Sequence, residues 1–407
     1  MLYFKHSELA RQYNVSLRTV HNWIDAAKSG KLNLDLHPEG SKTYIANTSR
    51  NLAALAQLVE ERRKYRNTKA SKVVIPNPEF YQLFSDEQVY DIITNLEIHH
   101  EIPRQYNYFD GGAKNWEWYI ERLASENTPN ILTSTIKLLA INQNYIDSLI
   151  DDYSQVNVVD VGAGNAYPVK DFIAHMLKRK KLRRYIALDI SPSMLKIAER
   201  NIKDWFKGKV PFEGYQYDVN YDRFSSLLIS DYMKNEISNT VNLVLLFGGT
   251  LSNMRYPDSG LKMIHDSMGI HDILIHATKL DTEASRKYFD FNFKPGNSTL
   301  SPNHRLIFDL LNIDDSFYSI EMGYDSTIGQ RFIRVRLKVA IAIRFTHNGG
   351  KRTVSLNKGD AILLWRGIQN TPIGIMSQFQ KNDFYLLHSS QTDDQEYLLT
   401  VSRVKRS

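Results

Sequence analysis

The apolar positions of this chain come in two rhythms. Over residues 129–281, five compact apolar runs of strand length, VNVVDV (156–161), RYIALD (184–189), FEGYQYDV (212–219), VNLVLLF (241–247) and HDILIHA (271–277), alternate with helical segments. One helical segment turns Phe172 and Met176 inward. Another opens at Ser191-Pro192, a capping side chain followed by a residue suited to the first turn. Strands alternating with helices in this way predict an α/β fold, with a parallel sheet covered by helices on both faces.

Further along, the period drops to two. From Arg331 to Phe345 the chain alternates strictly, with Ile333, Val335, Leu337, Val339, Ile341 and Ile343 on one side. Asn348-Gly349 supplies a turn that returns it through Lys351 to Leu364 as a β-hairpin. Arg334, Arg336, Lys338 and Arg344 then share a solvated face. Phe384–His388 and Tyr397–Val401 read as a last pair of strands that completes the sheet.

The first 66 residues are patterned differently. Ser7–Tyr13 and Leu17–Ile24 predict two short amphipathic helices around a turn at 14–16, with Ser7 and Ser16 as N-caps. Leu9, Ala10, Val15, Val20 and Trp23 or Ile24 are the contacts that lock them. An alternating wing with a Gly-Ser turn follows over 32–45, then a helix from Asn51 to Tyr65. This head, residues 1–66, resembles a winged helix-turn-helix of the MerR type. The resemblance implies DNA as a partner, with protein docking as the other role open to so small a head. Arg18, Thr19, His21 and Asn22 lie away from the apolar face of the second helix and Lys42 on the wing, residue types that contact bases and phosphates. One copy binds weakly, so specific recognition would imply a homodimer. Residues 67–83 read as a linker, and Ser85–Gln88 as a capping box that starts a helix with Val89, Ile92, Ile93 and Leu96 inward.

Charge sharpens this division. The net charge is +6, and residues 1–66 hold eleven Lys/Arg against six Asp/Glu, so most of the excess sits in the head. The chain has no cysteine, which excludes disulfides, thiolate metal sites and thiol nucleophiles. No apolar run approaches the length of a membrane span, and the start MLYFKHSELARQ lacks the core of a signal peptide, so a soluble, cytoplasmic protein without a membrane partner is expected. The twelve histidines are scattered, and no metal site is expected.

Candidate chemistry begins where the first strand ends, at Gly162-Ala-Gly164. A third glycine, needed for a helix to approach a pyrophosphate, is replaced by Tyr167, which argues against NAD or FAD, and no GKS or GKT loop serves a nucleoside triphosphate. S-adenosylmethionine (SAM) fits better, because its amino-acid part needs close backbone approach and its nucleoside needs polar partners. Asp189, ending the second strand, can accept from both ribose hydroxyls, and Asp218 in YQYDV can accept from the adenine amino group.

The fourth strand ends in FGGTLSN (247–253). Taken together, VDVGAGN, ALDIS, YDV and FGGTLSN resemble the histidine-specific methyltransferase family of the ergothioneine pathway, from about Tyr106 to the C-terminus. The resemblance implies a Rossmann-like, class I SAM-methyltransferase sheet, residues 137–281 plus 368–407, with an α+β accessory lobe, residues 84–136 plus 282–367. It implies that Tyr108 in YFDGG, Asn253 in GGTLSN and Tyr288 in KYFDF bind and act on the backbone groups of an amino-acid substrate. Gly162, Gly164, Asp189 and Asp218, with Val219 beside it, match cofactor contacts, and Gly248 the loop at the methyl donor. The implied activity is N-methylation of an amino acid or related small amine.

Two segments depart from the family pattern. Asn130–Thr133 stands where the family usually has tyrosine. Trp365-Arg-Gly367 stands where the family has the Glu-x-Ser motif that recognises imidazole. A tryptophan cannot hydrogen-bond an imidazole nitrogen as a carboxylate does, so the pocket is altered, with Trp365 as a stacking wall and Arg366 as an anion partner for another acceptor. The same change fits the alternative reading, a DNA-binding regulator whose methyltransferase-like body senses SAM or a metabolite without turnover.

Overall fold

The computed structural model describes residues 3–13, 15, 17–67, 72–228, 239–286, 300–347 and 349–406. The chain divides into two compact units, one of 1–74, 339–344 and 353–359, the other of 75–338, 345–352 and 360–407.

In the first unit, helices His6–Gln12, Leu17–Lys28 and Ser49–Asn67 accompany a small sheet of β1 (Tyr3–Phe4), β2 (Leu36–Glu39) and β3 (Lys42–Ala46), in the order β1-β3-β2. Leu9, Val20, Trp23, Ile24, Leu34, Ile45 and Leu55 form its core. The buried Asn51 ties the small sheet to the last helix: its Nδ2 donates to Asp35 O and Ala46 O at 2.8 Å, and its Oδ1 accepts from Asp35 N at 2.9 Å. Ser7 is not the cap expected of it. The first helix begins one residue earlier, after Lys5, whose N–H donates to Glu8 Oε2 at 3.2 Å. The expected Ser16 cap and the Asn14 end of the turn lie outside the described residues.

The stretch expected to be a linker holds regular structure. β4 (Lys72–Val74) pairs in parallel with β12 (Ile341–His347), and Pro78–Leu83 is a helix with Pro78 in its first turn and Asn77 accepting from Phe80 N at 3.0 Å. Two consecutive valines are enough to join a sheet edge, and the prolines that hid the pattern stand just beyond the strand.

The second unit is built on a seven-stranded sheet of β5 (Gln155–Val161), β6 (Leu182–Asp189), β7 (Phe212–Gln216), β8 (Thr240–Leu246), β9 (Ile273–Lys279), β15 (Phe384–Gln391) and β16 (Tyr397–Val404). Its order is β15-β16-β9-β8-β5-β6-β7. β5 to β9 are parallel, β16 runs antiparallel to β9, and β15 antiparallel to β16. Val156, Val158, Leu243, Leu245 and Ile275 pack on one face, and Val159, Val161, Ile186, Leu188, Val244 and Leu246 on the other. Burial on both faces explains why these strands read as continuous apolar runs rather than alternating ones. Each such side chain contributes about 1.5–3 kcal/mol over its exposed state. The order reverses between β5 and β8, and a parallel sheet opens a crevice at the carboxyl ends of the strands at such a point.

The single hairpin expected over 331–364 is divided between two sheets. β11 (Gln330–Leu337) lies between β10 (Tyr318–Asp325) and β14 (Ala361–Ile368), whereas β12 lies between β4 and β13 (Gly350–Leu356). The chain bends at Lys338-Val339, where Lys338 N donates to Phe317 O at 2.7 Å, so the period of two carries on while the partners change. Arg334 and Arg336, expected to be merely solvated, both pair with Glu321 of β10.

Candidate active site

The carboxyl ends of β5, β6 and β8 meet at the reversal point. Gly162 has φ +74°, and a Cβ there would lie 2.6 Å from Thr250 Oγ1, so both the turn and the close approach of the β8 loop require glycine. Gly164 also has positive φ and its N–H donates to Asp189 Oδ2 at 3.0 Å, which ties the β5 turn to the end of β6. Ser191 N donates to Asp189 Oδ1 at 3.0 Å, and Ser191 Oγ caps the following helix through Met194 N at 3.2 Å.

Asp189 is buried. Burial raises its pKa to about 6, against the opposing pull of backbone N–H groups of Ser191, Gly164 and Ile190. A carboxylate has about four lone-pair sites, so one or more stay open to a diol. Asp160, one strand over, is fully enclosed and pushed up to about 7 by burial, although the Tyr185 hydroxyl donates to it at 2.7 Å. In the sequence its mark is a lone acid between valines of the strand, at the position before Val161. Asp218 lies two residues past β7, accepts from Asn220 N at 2.9 Å and Nδ2 at 2.7 Å, and has its pKa raised by burial. Val219 is half-buried against the sheet core.

After β8, Gly248 and Gly249 both have positive φ, and among the described residues nothing lies within 4 Å of where a Gly248 Cβ would be, so that turn is open on this side. Asn253 N donates to Gly249 O at 3.0 Å, which closes the loop and holds Asn253 half-buried behind the glycines.

Tyr108 is brought to the same end of the sheet. Its carbonyl accepts from Ser191 Oγ at 2.6 Å, its hydroxyl accepts from Arg104 Nε at 3.0 Å, and its ring packs edge-on to Trp116. Trp116 stands with its Nε1 3.3 Å from where a Gly164 Cβ would be and so covers the turn. Asp91, accepting from the Tyr106 hydroxyl at 2.8 Å, lies within electrostatic reach of Asp218. The third expected acceptor residue, Tyr288, lies outside the described residues.

Trp365 sits on β14, paired with Ile333, and its ring lies across Gly367, where a Cβ would come within 2.7 Å of it. Arg366, expected as an anion partner, is ion-paired through its guanidinium with the buried Glu101.

In the head, Arg18, His21, Asn22 and Lys42 are exposed and Thr19 is half-buried; His21 Nε2 lies 3.2 Å from His6 Nδ1. Among the described residues no helix is long and apolar enough to cross a membrane, and no three His, Asp or Glu side chains cluster as metal ligands.

A doubly covered parallel sheet, a glycine turn at its reversal point and acids at the next two strand ends define a Rossmann-like SAM-dependent methyltransferase. Residues 88–295 match the family described as histidine-specific, SAM-dependent methyltransferases, and the chain belongs to that family. No curated protein sequence is a significant match. Among solved structures, a SAM-dependent methyltransferase from Clostridium acetobutylicum aligns with a TM-score of 0.41 at 8% identity, over 73% of this chain and 100% of that one. CcbJ methyltransferase from Streptomyces caelestis aligns at 0.37 and 10%, over 69% and 94%. Magnesium protoporphyrin IX methyltransferase from Synechocystis aligns at 0.37 and 10%, over 74% and 98%.

Proposed function

We propose that the chain is an N-methyltransferase for an amino acid or related small amine. The observation that carries this reading is the convergence, at one end of the sheet, of the buried Asp189, the open Gly248 turn, Asn253 and Tyr108. In it, Asp189 accepts from the ribose hydroxyls, Asp218 and Val219 line the adenine, and the Gly162 and Gly164 turn admits the amino-acid part. Bound there, SAM supplies an electrophilic methyl group on a sulfonium. Asn253 offers a donor and an acceptor to the head group of the amine, and Tyr108 and Tyr288 orient the nitrogen lone pair or take its proton. Positioning and exclusion of water supply most of the acceleration, since the transfer is an in-line displacement.

Calorimetry of the full chain with S-adenosylhomocysteine, and mass spectrometry after incubation with SAM and an amino-acid panel, test this. Methylated product is expected, and Asp189→Ala should lose cofactor affinity. An Asp189→Ala chain that binds normally would sink the site assignment.

A second role is carried by the head. The buried Val20, Trp23 and Ile24 leave Arg18, His21 and Asn22 of the same helix on the exposed side, and His21 and the exposed Lys42 line one shallow depression. We infer that this face binds DNA, with Thr19 beside it. Arg18→Ala with Lys42→Ala should weaken DNA binding and flatten its salt dependence by about two charges. Cofactor-dependent DNA binding without turnover on any amine would select the regulator instead.

A further inference from the structure

Three guanidinium contacts away from the strand-end glycines converge on a single atom. Glu101, at the edge of β14, accepts through Oε2 from Arg255 Nε at 3.1 Å, from Arg255 Nη2 and from Arg366 Nη2. Two guanidiniums share one carboxylate, so the group carries one positive charge in excess. Their side chains are only 12–18% exposed. Among the described residues, Arg366 Nε is buried with no hydrogen-bond partner. An unbalanced charge in such surroundings is costly, and an anion relieves the cost. Burial lowers the pKa of Arg366, as an unneutralised site requires, and lowers that of neighbouring His99, with Arg255 adding to the effect.

The cluster adjoins the residues assigned to the acceptor. Arg255 follows Asn253 by two positions, Arg366 follows Trp365, and Ile368 N donates to Ser252 O at 2.8 Å, which joins the end of β14 to the Asn253 loop. We propose that Glu101, Arg255 and Arg366 form a subsite for a second acidic group, so that the methyl acceptor is an amine or amino acid carrying a carboxylate beyond its head group. This rests on the methyltransferase reading above. Glu101 orients both guanidiniums, and their remaining N–H donors meet the ligand carboxylate.

The test is calorimetry on the full chain saturated with S-adenosylhomocysteine, using L-aspartate and L-glutamate, each against its amide. At least one acid should bind about tenfold or more tighter than its amide, the worth of one charge-assisted hydrogen bond. Arg366→Gln should erase that preference. Glu101→Gln, which adds a further positive charge, should enlarge it, and this opposite response keeps the proposal open to refutation where either variant folds poorly. Equal affinity for acids and amides, or no binding of any of them, overturns the subsite, as does a preference that Glu101→Gln leaves unmoved. Failure of the wild-type chain to bind S-adenosylhomocysteine strikes the methyltransferase reading instead.

Discussion

Asp189 sets folding against cofactor binding, and Asp189→Asn separates the two. In the folded chain burial raises this carboxyl from 3.8 to about 6, although backbone N–H groups of Ser191, Gly164 and Ile190 favour its charged form. That gap is worth about 3 kcal/mol against the folded state at pH 8. Asparagine removes the buried charge but turns an N–H toward the backbone where a carboxylate oxygen accepted, which costs about 1 kcal/mol. The ligand-free variant should therefore be about 2 kcal/mol more stable than wild type at pH 8. The sign of the pH dependence follows from the raised pKa. Between about pH 4 and 6 the folded carboxyl holds a proton that the unfolded one has lost, so wild-type stability falls as pH rises through that window and is level above it. The advantage of the variant is thus full at pH 7–8 and falls to about a third near pH 5, where the buried charge costs only about 1.5 kcal/mol.

Equilibrium urea unfolding at pH 5 and pH 8 measures this, and calorimetry with S-adenosylhomocysteine measures the other side. Asparagine cannot accept from both ribose hydroxyls as a carboxylate does, so affinity should fall about 10- to 100-fold. A variant no more stable than wild type at pH 8, or one that binds the cofactor product unchanged, would refute the reasoning.

Gly162→Ala meets a positive φ and a contact 2.6 Å from Thr250 Oγ1, so it should lose about 2 kcal/mol or more in urea unfolding, and Thr250→Ala should restore the contact share alone. Tyr185→Phe removes the hydroxyl that donates to Asp160, whose pKa is about 7; it should cost about 1–3 kcal/mol at pH 8 and less at pH 5, where Asp160 is protonated, as unfolding at the two pH values would show. Asn253→Ala should lower kcat/KM about tenfold or more while S-adenosylhomocysteine affinity stays within about twofold, a split read by steady-state kinetics and calorimetry.

The strand ends and the glycine turns after them were legible because their determinants are local. β5, β6, β8 and β9 are buried on both faces, so each reads as an apolar run, and the residues assigned to the cofactor stand within a few positions of where such a run stops: Gly162 after Val161, Asp189 at the end of β6, Gly248 after Phe247. The period of two from Arg331 to Phe345 identified extended chain equally well. It could not reveal that the strand changes partners at Lys338, because alternation fixes which way side chains point and says nothing of which edge they join. Lys72–Val74 escaped for the opposite reason, as three residues are too few to show a period at all.

The acceptor end is assembled on another principle. Glu101 meets Arg255 across 154 residues and Arg366 across 265, so no window of sequence contains the cluster. The departure at Trp365-Arg-Gly367 is likewise one exchange rather than two. With a Cβ on residue 367 placed 2.7 Å from the Trp365 ring, the indole can lie where it does only because glycine follows two positions later, and a serine there would force it aside. Against the Glu-x-Ser pattern that the resemblance implies, an indole and a bare backbone offer one donor, the indole N–H, in place of a carboxylate and a hydroxyl, and present mainly shape. The charge beside it is that of the neighbouring guanidiniums of Arg255 and Arg366, which share the Glu101 carboxylate. A pocket built that way selects by the sign of its ligand before it selects by the ligand's ring.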